Sequence, residues 1–250
     1  MSDALFEYLI RLGDERLVLG HKLSEWCGYG PILEEDIALA NISLDLIGQA
    51  TLLLNLAGEV EGAGRDADAL AYFRDAIDYR NAQLVELPNG DFAFTSVRQF
   101  FFSVLALLQM EALERSANET LAGIAAKAVK ENRYHVRHSG RWLITLGDGT
   151  DESHERAQRA VNDLWRYTGE LFMDDIVDRE IADAGVGVNP ATLETAWRAH
   201  VDDVLGRATL TVPAPGYMQR GGRVGRHTEH LGHMLSEMQI VARSHPGAQW

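Results

Sequence analysis

Apolar residues recur at intervals of three and four along almost the whole chain, and this period constrains the fold more than any other feature. Alternating runs of β-branched residues bounded by turns, which are typical of strands, are scarce. Glycine and proline interrupt the helical period only at intervals, as at Gly28, Gly30 and Pro31. The pattern predicts an all-α protein built from long helices with short connections.

Capping residues set several boundaries of the predicted helices. Gly62 and Gly64 are predicted to close the second helix, Thr150 to cap the sixth and Thr228 to cap the last. Asn189 and Pro190 are typical of an N-cap and a first helical position. No repeat, low-complexity tract or domain boundary is visible, so a single helical domain over residues 1–250 is expected. The predicted helices cover about 3–26, 34–59, 66–85, 95–115, 119–146 and 151–173, and two more follow Asn189 and Thr228.

The fourth predicted helix, at about 95–115, contains the stretch QFFFSVLALLQM and is apolar on nearly every side. A helix of this kind is buried either in the core or in a subunit interface. It is too apolar for the surface of an isolated bundle, and exposed apolar area usually marks a partner.

Charge and cysteine usage argue against several kinds of partner and against a disulfide-stabilised protein. The 250 residues carry a net charge of −14, which disfavours nucleic acids and anionic membranes as general partners. The single cysteine, Cys27, excludes an intramolecular disulfide and fits a reducing cytoplasm. Beside Trp26 at a helix end, Cys27 is interpreted as a small buried hydrophobe rather than a nucleophile. Neither a signal peptide nor a transmembrane span is predicted, and the expected location is the cytoplasm.

A di-iron carboxylate site in a bundle requires Glu-x-x-His on two core helices, because residues three apart share a helix face. Of the nine histidines, only His154 has an acid three positions earlier. That acid, Asp151, belongs to the exposed first turn of a predicted helix. The sequence therefore does not predict a working di-iron site.

Two other clusters are candidate sites. His227, His230 and His233 are spaced to share one helical face, which allows zinc, although capping and interface packing are the commoner explanation. The arginines and glycines of residues 220–226 could hold a phosphate or contact an acidic partner. A mobile, solvated loop explains the same residues equally well.

Six stretches of the sequence are distinctive: ERLVLGHKLSEWCG, DIALANISLDLIGQA, VELPNGDFAF, KAVKENRYHVRHSGRWL, LWRYTGELF and GRHTEHLGHMLSEMQ. Together they closely resemble the C-subunit family of bacterial phenylacetyl-CoA epoxidases, the multicomponent ring-1,2-monooxygenases of phenylacetate degradation. The resemblance runs from about Leu9 to Trp250.

The resemblance implies an all-α, ferritin-like helical bundle with additional C-terminal helices. It also implies a non-catalytic structural subunit in a stable complex with a catalytic A subunit that carries the di-iron centre. That complex would form the ring-1,2-epoxide of phenylacetyl-CoA from O₂. Electrons from NADPH would arrive through a reductase subunit with FAD and an iron–sulfur centre, and a small B subunit is a further possible partner.

Comparison with the catalytic subunit's pattern implies that the metal ligands have been lost. Asp45 stands in the position of the first Glu and Gly48 in that of the first His. Asn132 replaces the second Glu, while His135 is retained, and Ser103 occupies the position of a further acid. The resemblance thus implies a vestigial site, with no catalytic, cofactor-binding or metal-binding residue in this chain. A buried Asp45 needs a partner, and His135 is a plausible one.

Two other functional classes remain open from the residues. One is a di-metal oxygenase or oxidase with unusual ligands, against which the missing Glu-x-x-His counts. The other is a metal-free, ferritin-like homo-oligomer, which needs no partner and would be a stable soluble assembly by itself.

Overall fold

A computed structural model describes residues 2–248. Within this range the regular structure is entirely helical, with no strand, and the predicted all-α class is confirmed. The α-helices are α1 (Ser2–Ser24), α2 (Leu33–Glu61), α3 (Ala67–Tyr72), α4 (Gln83–Glu86), α5 (Phe92–Leu113), α6 (Glu119–Gly147), α7 (Asp151–Trp165), α8 (Ile176–Asp183), α9 (Glu194–Arg207) and α10 (Glu229–Ser244).

These helices form two compact units. Unit 1 comprises residues 1–88 and 221–250, with α1 to α4 and α10. Unit 2 comprises residues 89–220, with α5 to α9. The single domain expected over residues 1–250 stays a prediction.

In unit 1, α1 and α2 pack closely along each other. Small residues allow this approach: a Cβ at Gly13 would lie 2.7 Å from Leu54 Cδ2, and one at Gly20 would lie 2.8 Å from Ile47 Cγ1. The Ser43 hydroxyl donates to the Gly20 carbonyl oxygen at 2.7 Å. The contact therefore combines apolar burial with a hydrogen bond that satisfies a buried polar group.

The segment that follows α2 differs from the prediction. The sequence predicts one helix over 66–85, but the structure has α3, a 3-10 turn at Ala76–Asp78 and α4. Arg74 Nη1 and the main-chain N–H of Arg80 both donate to one carboxylate oxygen of Asp14, at 3.0 and 2.9 Å. The N–H of Arg80 could not do this in a continuous helix, because it would be bonded to the carbonyl four residues earlier.

In unit 2, α5 lies in the core, packed against α6, α7 and α9. Phe101 is fully buried and forms ring contacts with Trp165 and Trp197, at centroid distances of 5.6 and 5.7 Å. The indole N–H of Trp197 donates to the Phe101 carbonyl oxygen at 2.8 Å. Of the two environments predicted for QFFFSVLALLQM, the core is correct. The interpretation of this stretch as a partner surface is wrong.

Most capping predictions are confirmed. The Thr150 side chain caps α7 together with Ser153, and Asn189 caps a 3-10 turn at Pro190–Leu193. Gly62 ends α2 with a left-handed φ of 69°. Thr228 precedes α10 as predicted, but its side chain makes no capping hydrogen bond.

Helices α2 and α5 are long and apolar enough to cross a membrane by length and composition alone. In the most apolar stretch of 18 residues in each helix, the share that is buried within the protein is 50% for α2 and 78% for α5. Core helices of soluble proteins meet the same criteria, so this is a weak indication of a membrane span.

Candidate functional site

Three of the five positions implied to be vestigial metal positions lie in the core of unit 2. Ser103 on α5 and Asn132 and His135 on α6 are each at most 1% exposed. The amide of Gln99 donates to the Ser103 hydroxyl at 2.9 Å, so a neutral side-chain pair occupies this part of α5. These residues are buried, as metal ligands in a bundle would be, but Ser103 and Asn132 are uncharged.

The other two positions lie on α2 in unit 1. Asp45 is half-buried, and so is Gly48. A Cβ at Gly48 would have no neighbouring atom within 4 Å. A side chain would therefore fit at Gly48, and steric conflict is not the reason for the glycine. The proposed pairing of Asp45 with His135 stays a prediction.

The donor chemistry of the five positions does not fit a di-iron centre. Two bridged irons require several carboxylates together with imidazole ligands. Here a single carboxylate, on Asp45, and a single imidazole, on His135, are accompanied by a hydroxyl, an amide and a residue without a side chain. Among residues 2–248, no group of three or more His, Cys, Asp or Glu side chains is placed to hold a metal ion.

The prediction that three histidines share a helical face is wrong. Helix α10 begins at Glu229, so His227 lies before the helix, while His230 is half-buried and His233 is exposed. His227 Nδ1 lies 2.7 Å from a carboxylate oxygen of Glu86, and Nε2 lies 3.0 Å from the carbonyl oxygen of Tyr79. Both partners present acceptor oxygens, and an imidazolium, which donates from both ring nitrogens, satisfies this geometry.

The electrostatic surroundings agree with this protonation state. Burial by itself lowers the pKa of His227, but the hydrogen bond and the charge of Glu86, with the Tyr79 carbonyl, raise it above its ordinary value. Both ring nitrogens lie within hydrogen-bond distance of oxygens of unit 1, so His227 connects the chain before α10 to the α4 region.

Glu86 is the centre of this cluster and is fully buried. Besides His227, it accepts hydrogen bonds from the Asn81 amide at 2.9 Å and from the main-chain N–H of Thr228 at 2.5 Å. Sequence reasoning missed Glu86, because its partners are up to 142 residues away. The stretch VELPNGDFAF contains it, but local spacing gives no sign of its burial.

A second buried group lies on α1. Asp14, Glu15 and Arg16 are each at most 1% exposed, although all three are charged. Asp14 forms a two-point ion pair with Arg74, and Arg16 Nε donates to the Gln49 side-chain oxygen at 3.1 Å. The signal that could have revealed them is a run of three charges within the apolar helical stretch LIRLGDERLVLG.

Part of the glycine-rich segment 221–226 is packed against the rest of unit 1, while Val224 and Arg226 are exposed. A Cβ at Gly222 would lie 2.2 Å from the Asn81 carbonyl oxygen. The Gln83 amide donates to the Arg226 carbonyl oxygen at 2.7 Å. Arg223 lies 3.6 Å from Glu15, with its side chain 11% exposed. Arg223 thus balances a buried carboxylate within unit 1.

Two surface features also differ from expectation or were not anticipated. Cys27 is exposed, so its interpretation as a buried hydrophobe is wrong; it lies in the turn after α1.

The exposed face of α2 carries an apolar row at helical spacing, in which Leu33 and Leu44 are 72% and 67% exposed. The members of this α2 row are Leu33, Ile37, Leu44 and Leu52.

Comparison with known proteins agrees with the resemblance inferred from the sequence. The family model described as "Phenylacetic acid catabolic protein" matches residues 1–250. The chain is 49% identical over 246 residues to the C subunit of the 1,2-phenylacetyl-CoA epoxidase of Escherichia coli (strain K12), covering 98% of this chain and 99% of that protein. Together with the helical architecture, this confirms the predicted ferritin-like class with additional C-terminal helices. The chain therefore belongs to the phenylacetic acid catabolic protein family.

Proposed function

We propose that this chain is the non-catalytic C-type subunit of a cytoplasmic 1,2-phenylacetyl-CoA epoxidase. It forms a stable complex with a catalytic A-type subunit, which carries the di-iron centre and epoxidises the aromatic ring. Electrons from NADPH reach that centre through a reductase with FAD and an iron–sulfur centre, and the assembly also includes a small B subunit. This chain itself holds no cofactor.

The observation that carries the proposal is the donor chemistry of the vestigial positions. Gly48, Ser103 and Asn132 supply no charged ligand where the catalytic pattern has an imidazole and two acids. The similarity to a relative named as the C subunit of such an enzyme supports the same assignment over 98% of the chain. The chain's own contribution is then structural: it binds the catalytic subunit and supports its fold.

Metal content tests the absence of a cofactor in this chain. Purified alone, the protein is expected to bind clearly less than one iron per chain, because the donors are insufficient. Co-purified with an A-type subunit, the complex is expected to hold about two irons, the number in di-iron carboxylate proteins. Iron is measured by plasma emission spectroscopy, and molar mass by light scattering after size exclusion.

The variant His135→Ala is the matched control. It removes the retained imidazole and is expected to leave the iron content of the complex unchanged. About two irons bound to this chain alone, and lost in His135→Ala, would instead support a di-metal oxygenase or oxidase. A stable homo-oligomer that does not bind the A-type subunit would support the ferritin-like storage or structural bundle.

The α2 row offers a surface for the A-type subunit. Its four large apolar side chains are exposed and recur on one face of a long helix, an arrangement that marks interaction sites. Complete burial of one leucine contributes about 1.5–3 kcal/mol, so such a row can supply much of a stable interface.

Leu44→Glu is expected to weaken binding to the A-type subunit by about tenfold or more, because it removes apolar burial and places a carboxylate in the interface. Isothermal titration calorimetry measures the affinity. Thermal unfolding of the isolated chain should hardly change, because Leu44 is exposed there. Ile176→Glu, at a residue of α8 that is 72% exposed, is the control and should bind normally. If Leu44→Glu bound the A-type subunit as tightly as Ile176→Glu does, α2 would not be part of the interface.

A further inference from the structure

The exposed face of α6 carries a row of positive charges in a chain whose net charge is −14. The members are spaced by three or four residues, so they lie on one side of the helix. On the same side, Tyr134 is 37% exposed, and the guanidinium of Arg137 lies over its ring at 5.6 Å. The α6 row consists of Lys127, Lys130, Arg133, Arg137 and Arg141.

Carboxylates within the protein neutralise only part of this row. Lys127 lies 3.9 Å from Glu131, and Arg133 lies 3.0 Å from Glu111. The other three cations form no ion pair with any residue in the range 2–248. These three are Lys130, Arg137 and Arg141.

The arrangement differs from an ordinary solvated helix face. On α7, Arg156 pairs with Glu152, and on α9, Arg207 pairs with Asp203, each four residues away along the same helix. Such pairs stabilise a helix slightly, whereas like charges at this spacing destabilise it by a similar amount. The row also lies in the middle of α6, away from the C-terminal turn where the helix dipole favours cations. Helix stability therefore gives no reason for the row.

The length of the row indicates the shape of its ligand. From Lys127 to Arg141 the helix rises by about 21 Å, with a charge on nearly every turn. One phosphate or one small anion would contact only two of these side chains. An extended surface with carboxylates at similar spacing would contact all of them. Nucleic acid would also be long enough, but a duplex carries about one negative charge per 1.7 Å on all sides. The strongly acidic chain repels such a ligand more than it repels a protein with a single acidic face.

We propose that the α6 row is a docking site for the acidic face of a partner protein. The partner's carboxylates would neutralise the three unpaired cations. The row would also select the orientation in which the partner's acidic face meets this chain, because the net charge of the chain is −14 and most of its surface would repel that face. The row belongs to unit 2, whereas the α2 row belongs to unit 1.

The test uses the full-length protein and a defined probe. The probe is a fluorescent helical peptide with Glu at every third and fourth position over about five turns, and a twin with Gln at these positions is the peptide control. The triple variant Lys130→Gln, Arg137→Gln, Arg141→Gln is compared with Arg115→Gln, Arg159→Gln, Arg207→Gln, which changes the charge equally at positions outside α6. Circular dichroism establishes that both variants fold.

The acidic peptide is expected to bind the wild-type protein at low salt, and more weakly as the salt concentration rises. The α6 triple variant should bind at least about tenfold more weakly, while the control variant keeps most of the affinity. Absent binding, equal binding of the Gln peptide, or equal loss in both variants would overturn the proposal. Tighter binding of duplex DNA than of the peptide would overturn it in favour of nucleic acid. Self-association that disappears only in the α6 variant would overturn it in favour of a second copy of this chain.

Discussion

Asp14→Ala is expected to destabilise the protein by about 3–5 kcal/mol, because it leaves a buried arginine without its counter-ion. Asp14 is fully buried, and Arg74 is 6% exposed. The carboxylate accepts from both terminal nitrogens of Arg74 and from the main-chain N–H of Arg80. The substitution thus removes one charge of a buried pair, and it also leaves the main-chain N–H of Arg80 without its acceptor. Urea unfolding followed by circular dichroism measures the change in free energy of unfolding.

Asp203→Ala is the matched control for this experiment. Asp203 also pairs with an arginine, Arg207, but both side chains are more than 60% exposed. An exposed pair within one helix contributes at most about 0.5 kcal/mol, so the control should unfold almost like the wild type. If Asp14→Ala proved as mild as Asp203→Ala, the buried pair would not anchor the segment between α3 and α4.

The second large effect is expected for Glu86→Gln, at about 3 kcal/mol near pH 6. The variant keeps the shape of the side chain but removes the negative charge that holds the protonated ring of His227. Since burial lowers the pKa of His227 and Glu86 raises it, that pKa should fall once the charge of Glu86 is gone. NMR titration of the His227 ring follows the pKa, and urea unfolding follows the stability.

The pH dependence of the wild type follows from the raised pKa of His227. The folded state holds the proton more tightly than the unfolded state, whose histidine titrates near 6.5. The contribution of this pair to stability is therefore complete below pH 6.5 and is lost as the pH rises through the folded-state pKa. His227→Gln is the control: its stability difference from the wild type should be largest near pH 6 and should shrink in alkaline solution. A difference independent of pH would show that the ring is not charged in the folded protein.

Local signals predicted the helices well where caps were explicit. Thr150 and Asn189 cap as expected, and Gly62 ends α2, because each acts through hydrogen bonds or dihedral angles within a few residues. The segment 66–85 was predicted as one helix because its apolar period continues. Its interruption depends on Asp14, whose position in space cannot be read from that segment.

Apolar patterning likewise identified which helices carry apolar faces but not which of these faces are covered. Phe101 on α5 is fully buried, whereas Leu44 on α2 is 67% exposed. Both belong to apolar helical stretches, and hydropathy alone allowed α5 to be either a core helix or a partner surface. Burial depends on which helices pack around each face, and that information is not local.

The sequence by itself determined the helical class, the family and the chemical identity of the residues at the vestigial positions, because these depend on local period, on caps and on the side chains themselves. Only the tertiary structure decided which charges are buried and which faces are free. His227 and Glu86 are 141 residues apart, and Arg74 and Asp14 are 60 apart. Their pairing follows from the packing of distant segments, since a buried charge requires a partner wherever the fold brings one within reach.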